Sequence, residues 1–210
     1  MKPLAHIFKA YDVRGIYPDD LDENIARRIG SAFVRFTGAN GIVLGRDSRP
    51  SSPGLAGAFA EGVTSQGADV IDIGLSATDM LYFASGVLQL PGAMFTASHN
   101  PPQWNGLKLC REGAAPVGED SGLMEVRDRA EGDEPRPVAA TGKVRTEDML
   151  DRYVEHVLSF IDPRRIAPLT VVADAANGMA GLVLPPVFER LPVKLVGLYL
   201  ELDGTFPNHP

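Results

Sequence analysis

The chain has 210 residues, 44% of them hydrophobic and 22% charged, which places it among globular proteins with a packed core and away from disordered or fibrous classes. Its 20 Lys plus Arg stand against 27 Asp plus Glu, a formal charge of -7. No overall field therefore draws it to nucleic acid or an anionic bilayer, and any phosphate has to be gripped by a local site. The single cysteine, Cys110, excludes an internal disulfide framework and agrees with a reducing compartment. The start carries no signal-peptide pattern, and no stretch reaches ~18 uninterrupted apolar residues. The expectation is a cytoplasmic protein without export or a membrane span.

Leu21, Ile25, Ile29, Phe33 and Phe36 recur at helical spacing, and Asp20 followed by Glu23 reads as a capping box at the start of that helix. Residues 41–45 (GIVLG) are short, apolar and β-branched and predict a strand. The polar turn 46–49 follows, then Ser52-Pro53 as N-cap and first position of a second helix. Residues 69–75 read as a strand, 78–88 as a helix and 92–97 as a third strand. Strands alternating with helices predict an α/β fold with a mixed, mainly parallel sheet and helices on both faces. In such sheets the ligand crevice lies at the carboxyl ends of the strands, where both GRDSR (45–49) and SHNPPQWNG (98–106) fall.

Residues 130–147 are polar and include Pro135, Pro137 and Gly142, so a boundary is expected there, dividing the chain into 1–142 and 143–210. Met149, Tyr153, His156, Val157 and Phe160 suit a connecting helix. A strand at 169–174, a helix at 180–191, a strand at 193–199 and a turn-rich loop at 203–210 complete the chain. Two strong strands amount to an incomplete second α/β domain, and an unpaired sheet edge invites self-association.

The sharpest chemical signal is Thr96-Ala97-Ser98-His99-Asn100-Pro101, where a buried strand breaks into a loop. It offers a hydroxyl nucleophile beside an imidazole, and both phosphoryl and acyl transfer fit that much. Neighbours in an extended segment point to opposite sides, so Ser98 and His99 share one site only if the chain turns sharply. Asn105-Gly106 reads as a tight turn, after which Leu107-Lys108-Leu109 resumes an alternation that sends Lys108 away from its two neighbours and back towards Ser98. A lysine at its ordinary ~10.4 is a poor base at neutral pH, so an acid/base role for Lys108 asks for a neighbouring cation or partial burial.

TASHNP, with the lysine of NGLK ten residues after the serine, resembles the phosphoserine loop of the α-D-phosphohexomutases. Tyr11-Asp12-Val13-Arg14-Gly15, preceded by Phe8-Lys9-Ala10, resembles the opening motif of the phosphomannomutase/phosphoglucomutase branch. GRDSR at 45–49 and DGTFPNHP at 203–210 match in the same order. KAYDVRG differs from the Gly-Thr-Asp-Gly-x-Arg-Gly type of opening in the phosphoglucosamine branch, which favours mannose or glucose phosphates. The resemblance implies interconversion of hexose 6-phosphate and hexose 1-phosphate through phosphoserine 98 and a 1,6-bisphosphate. Lys108 would be general acid/base with His99 assisting, Arg14 would stabilise the phosphoryl group in transfer, and Tyr11, Arg14 and Lys108 would contact substrate. It also implies Mg²⁺, bound in this chain only by the phosphate on Ser98, and glucose 1,6-bisphosphate as activator. The Asp-Gly-Asp-x-Asp-Arg metal loop and the sugar- and phosphate-binding loops of the later domains do not occur here, so the chain alone is expected to lack turnover.

Other readings carry less. A serine hydrolase lacks its G-x-S-x-G elbow and a dinucleotide enzyme its G-x-G-x-x-G. Asp174 has no second aspartate two positions on to support an aspartyl phosphate. Arg14 has Asp12 and Asp19 as pairing partners, Arg46, Asp47 and Arg49 read as braces between loops, and a non-catalytic module that associates through its half-built second unit is the alternative function.

Overall fold

The computed structural model describes residues 3–132 and 140–208; Pro135 and Pro137 of the expected boundary and the last two residues of the 203–210 motif lie outside them. The large sheet runs in the order β1-β5-β4-β2-β3-β7. At its centre is β2 (Gly41–Arg46), flanked in parallel by β3 (Asp69–Leu75) and β4 (Gly92–Phe95), with β7 (Val144–Thr146) parallel to β3. β5 (Trp104–Arg111) is antiparallel to β4 and to β1 (Val13–Ile16), and the short β6 (Ala115–Pro116) pairs with β5.

Period-two alternation assigns the strand side chains to two cores. Ile42 and Leu44 of β2, Phe95 of β4 and Leu107 and Leu109 of β5 face α1 (Glu23–Thr37), α2 (Ser52–Thr64) and α4 (Leu123–Gly132). Val43, Ile71, Ile73 and Met94 face α3 (Thr78–Leu88) and α5 (Leu150–Ser159). A chain of aromatic rings binds the first core, with Phe59 at 6.4 Å from Phe33 and at 5.7 Å, edge to face, from Phe95. Burying each such ring contributes roughly 1.5–3 kcal/mol. Helices α1 and α2 approach closely because two glycines meet backbone: a Cβ on Gly30 would lie 2.3 Å from the Phe59 carbonyl oxygen, and one on Gly62 2.0 Å from that of Arg27.

Three local expectations are corrected. The N-cap of α1 is Asp22, whose Oδ1 accepts from the Ile25 amide at 2.8 Å, whereas Asp20 caps the Ile16 amide at 3.1 Å and Glu23 accepts from the Tyr17 hydroxyl. α2 begins at Ser52 with Ser51 before it, and the Ser52 hydroxyl is diverted to Asp47. Asn105-Gly106 is no turn but the interior of β5, opposite Gly15 and Arg14. Glycine is required there because a Cβ would sit 2.4 Å from the Val13 carbonyl oxygen and 2.9 Å from that of Thr96. β1, α4 and β7 had no counterpart among the expected elements: β1 and β7 are too short for periodicity, and α4 buries only Leu123, Val126 and Ala130.

Beyond the large sheet, β8 (Thr170–Asp174) and β9 (Lys194–Leu198) form a two-stranded parallel sheet joined through α6 (Ala180–Phe188). α5 bridges the two parts. It packs on α3, with Phe83 and Tyr153 rings 5.7 Å apart and the Tyr153 hydroxyl donating to Asp79. Among the described residues no helix is long and apolar enough to cross a membrane.

Gly62→Ala is expected to cost ~1–3 kcal/mol in urea unfolding, because the neighbouring carbonyl cannot retreat without moving a helix. Burial first, then the Asp79 contact, pushes the Tyr153 phenol well above its ordinary 10.0. The folded state thus favours the protonated form, and this stabilisation is complete below pH 10 and lost as pH rises through the elevated folded-state value. Tyr153→Phe should lower stability at neutral pH by ~0.5–1.5 kcal/mol and flatten the alkaline loss, read from the melting temperature across pH.

Candidate active site

The end of β4 delivers Thr96 and Ala97 buried and then Ser98 exposed. Ser98 has φ 55°, a left-handed conformation that costs a non-glycine residue roughly 1 kcal/mol or more and turns the chain at one step. That turn brings neighbours together: the Ser98 Oγ lies 3.2 Å from His99 Nδ1. Local hydrogen bonds hold the loop, from the Ser98 amide to Thr96 Oγ1, from the Asn100 amide to the Ala97 carbonyl and from the Trp104 amide to the Pro101 carbonyl, each at 3.0 Å.

Arg49, after β2, is buried beneath this loop. Its Nη2 donates to the carbonyls of Ser98 and Asn100 at 2.9 and 2.7 Å, its Nη1 to those of Pro101 and Trp104 at 2.7 and 3.0 Å, and its Nε to Asp47 Oδ2 at 3.1 Å. Burial pulls the guanidinium's pKa down and Asp47 opposes it. Asp47 Oδ1 accepts from the Ser52 hydroxyl and the Arg49 amide, and Asn105 Nδ2 donates to both Ser51 and Ser52. Asp47 and Arg49 thus brace one loop against another, whereas Arg46 remains half-buried on β2.

The cations expected at the site meet on Asp12, which the sequence offers only as a pairing partner for Arg14. Asp12, buried, accepts at Oδ2 from Lys108 Nζ at 2.8 Å and from Arg14 Nε at 3.0 Å, with Arg14 Nη2 in ion-pair contact at 3.0 Å. Arg14 Nη1 reaches across to Asn100 Oδ1 in the serine loop. Lys108 is therefore held by a carboxylate and linked through it to Arg14, while the serine hydroxyl's described partner is His99. Tyr11 stands 81% exposed and takes no part in these hydrogen bonds. The signal for Asp12 lay in its spacing, since residues 12 and 14 share a face in an extended chain. What the sequence lacked was the register: Val13 pairs with Leu107, so one step on, residue 12 comes opposite Lys108.

A cavity of about 490 Å³ opens at the carboxyl ends of β2, β3 and β4, where the helices leave adjacent strands on opposite faces. Ser98, His99 and Asn100 line one side and Ala176, Gly178 and Met179 of the second unit the other, with Phe206 beside them. Asp174, before that wall, caps the Ala176 amide at 2.9 Å. A divalent magnesium ion takes six oxygen ligands, and among the described residues no group of three or more His, Cys, Asp or Glu is placed to hold a metal. Asp47, the carboxylate lining the cavity, already has both oxygens engaged. The described residues do not fit a magnesium site of their own.

A wound α/β unit that presents an exposed serine to a cleft whose other wall is a second α/β unit defines a two-domain α/β protein. The chain belongs to the phosphoglucomutase/phosphomannomutase family, whose alpha/beta/alpha domain I matches residues 5–135 and whose alpha/beta/alpha domain II matches residues 151–210. It is 42% identical over 202 residues to a protein of Xanthomonas campestris pv. campestris (strain B100) named "Phosphohexose mutases", covering 96% of this chain and 45% of that protein. It is 42% identical over 216 residues to a phosphomannomutase of Escherichia coli (strain K12), covering 99% and 47%. A crystal structure of a phosphoglucomutase/phosphomannomutase family protein from Burkholderia thailandensis superposes with a TM-score of 0.83 at 38% identity, covering 97% of this chain and 46% of that one. The chain spans about half the length of the curated relatives it matches.

Asp12→Asn should lower stability by ~1–3 kcal/mol, because two half-buried cations lose their shared charged acceptor. Denaturant midpoints check this, with Asp120→Asn, at an exposed position away from the cluster, as control.

Proposed function

We propose that the chain carries the phosphoryl-donor part of a phosphohexomutase that interconverts hexose 6-phosphate and hexose 1-phosphate, with mannose or glucose as the sugar. The observation that carries this reading is Ser98 itself, exposed on a left-handed turn at the carboxyl edge of the sheet, 3.2 Å from an imidazole nitrogen and in a loop that Arg14 contacts. Phosphoryl transfer relies on alignment and on cations that spread the moving charge, and these groups are of that kind.

In the first half-reaction the bond from Ser98 Oγ to phosphorus breaks and a bond from a sugar hydroxyl oxygen to phosphorus forms. The hydroxyl proton leaves through the Lys108–Asp12 pair acting as general acid/base, and Oγ regains a proton with His99 assisting. The bisphosphate then reorients, and the second half-reaction reverses both proton transfers as the other phosphate returns to Ser98. Arg14 holds the group in flight through a bidentate fork, and Tyr11 meets the sugar. In the complete enzyme Mg²⁺ is the proposed cofactor, attached in this chain through the phosphate on Ser98, and glucose 1,6-bisphosphate the activator. The division at 142/143, the cytoplasmic setting and the lack of turnover by the chain alone belong to the same proposal. Its support is the family membership together with the order of the four motifs.

Incubation with glucose 1,6-bisphosphate, followed by intact-mass analysis, should show one phosphoryl group that phosphatase removes and that Ser98→Ala abolishes. Phosphate elsewhere in the chain, or none on a full-length relative treated alike, would end the proposal.

A second reading, a binding module that associates through its short sheet, is favoured by the apolar side chains that β8 and β9 leave in solvent. Val172 is 64% and Leu198 43% exposed, with Leu169 at 56%. Light scattering that finds a single monomeric species over a wide concentration range would count against it.

A further inference from the structure

The turn 203–206 of the second unit lies directly on Arg49. A Cβ on Gly204 would fall 2.2 Å from the Ser48 carbonyl oxygen and 2.4 Å from the Arg49 Cα, so the two backbones touch with no room for a side chain. Two residues on, Phe206 lays its ring 4.9 Å from Arg49 Cζ. The turn is rigid in itself, since the Thr205 amide and hydroxyl both bond Asp203 Oδ1 and the Phe206 amide bonds the Asp203 carbonyl. It is anchored to the second unit through the Asp203 amide, which donates to the Asn177 carbonyl at 3.0 Å.

The guanidinium therefore has two clients. One face meets an aromatic ring of the second unit, while its edge donates to four backbone carbonyls between Ser98 and Trp104. A guanidinium has five N–H donors in a fixed plane, and all five are engaged here, counting Asp47. A plane that cannot flex transmits position: where the ring and the Asp47 carboxylate set it, the serine loop must follow.

We propose that Arg49 is the positioning residue of the Ser98 loop, and that Phe206 makes its placement depend on how the second unit docks. Arg49 acts through the backbone and touches no reacting atom. The inference rests on the reading of Ser98 as phosphoryl carrier for its meaning, and its test does not.

Arg49→Lys keeps the charge and removes the fork, because three donors on one nitrogen cannot span four carbonyls. Phe206→Leu removes the ring and leaves Arg49 intact. Hydrogen exchange should quicken at the Ser98, Asn100 and Trp104 amides by about tenfold or more in Arg49→Lys, with the α1 and α2 amides unchanged. In Phe206→Leu the same three amides should quicken by about two- to fivefold, the share of a cation–π contact.

A second readout is one that mere structural support would not move. With phosphoserine installed at position 98 during translation, the ³¹P titration should place its second ionisation below the ordinary ~6, since Arg14 is held on the same loop. In both variants it should return towards that value. Unchanged exchange and titration in Arg49→Lys would overturn the positioning role, and unchanged values in Phe206→Leu would overturn the coupling. Should Arg49→Lys not fold, Phe206→Leu decides alone, as it strands no buried charge. Because the phosphate is installed rather than transferred, failure of the bisphosphate to phosphorylate Ser98 would remove the mutase reading without touching this result.

Discussion

A guanidinium taken out of water must find an acceptor for each of its N–H groups, and Arg49 finds them mostly in backbone. Four carbonyls that would otherwise face solvent at the edge of the sheet are gathered around one charged plane. Hydrogen bonds to a charged group are stronger than neutral ones, so the loop gains from this centre a definition that its own short-range bonds would not give. The left-handed Ser98 is affordable only in such a setting, since nothing in a serine favours it. Exposure and order are thus combined in one hydroxyl: the side chain is exposed while the backbone beneath it is fixed.

The same centre depends on the sheet. Asp47 orients Arg49 and is itself held by Ser52, which Asn105 bonds in turn. Asn105 reaches that position because β5 runs antiparallel between β4 and β1, and Gly106 beside it lets the backbones close to contact. A second polar cluster lies on the same strands, where Asp12 collects Lys108 and Arg14. The two clusters join at the serine loop, because Arg14 bonds the side chain of Asn100 and Arg49 its carbonyl. Positive charge is delivered to the loop from two sides, each cation tethered by its own buried aspartate.

Much of this was legible in the residues. The strands expected at 41–45 and 69–75 and the helix at 78–88 follow from apolar runs and periodicity, because a central strand buried on both faces has to be largely apolar. The serine loop was legible as a break in a buried strand. Asn105-Gly106 was misread as a turn for a physical reason: glycine answers both to positive φ and to close approach, and the residue pair does not say which is at work. Asp20 and Glu23 have the spacing of a capping box, but the helix is capped by Asp22, and Asp20 is occupied by the Ile16 amide. β1 and β7 escaped notice because strands of four and three residues carry no period to detect.

By itself the sequence determined which elements form, which faces are apolar and where a serine, an imidazole and several cations fall along the chain, since these depend on local geometry and composition. Only the tertiary structure decided that Asp12 is the acceptor for both Lys108 and Arg14, that Arg49 organises the loop of Ser98, and that Phe206 of the second unit rests on Arg49. These are contacts between residues far apart in the chain. They follow from strand register and domain docking, which are set by the packing of all the elements together and are written in no single segment.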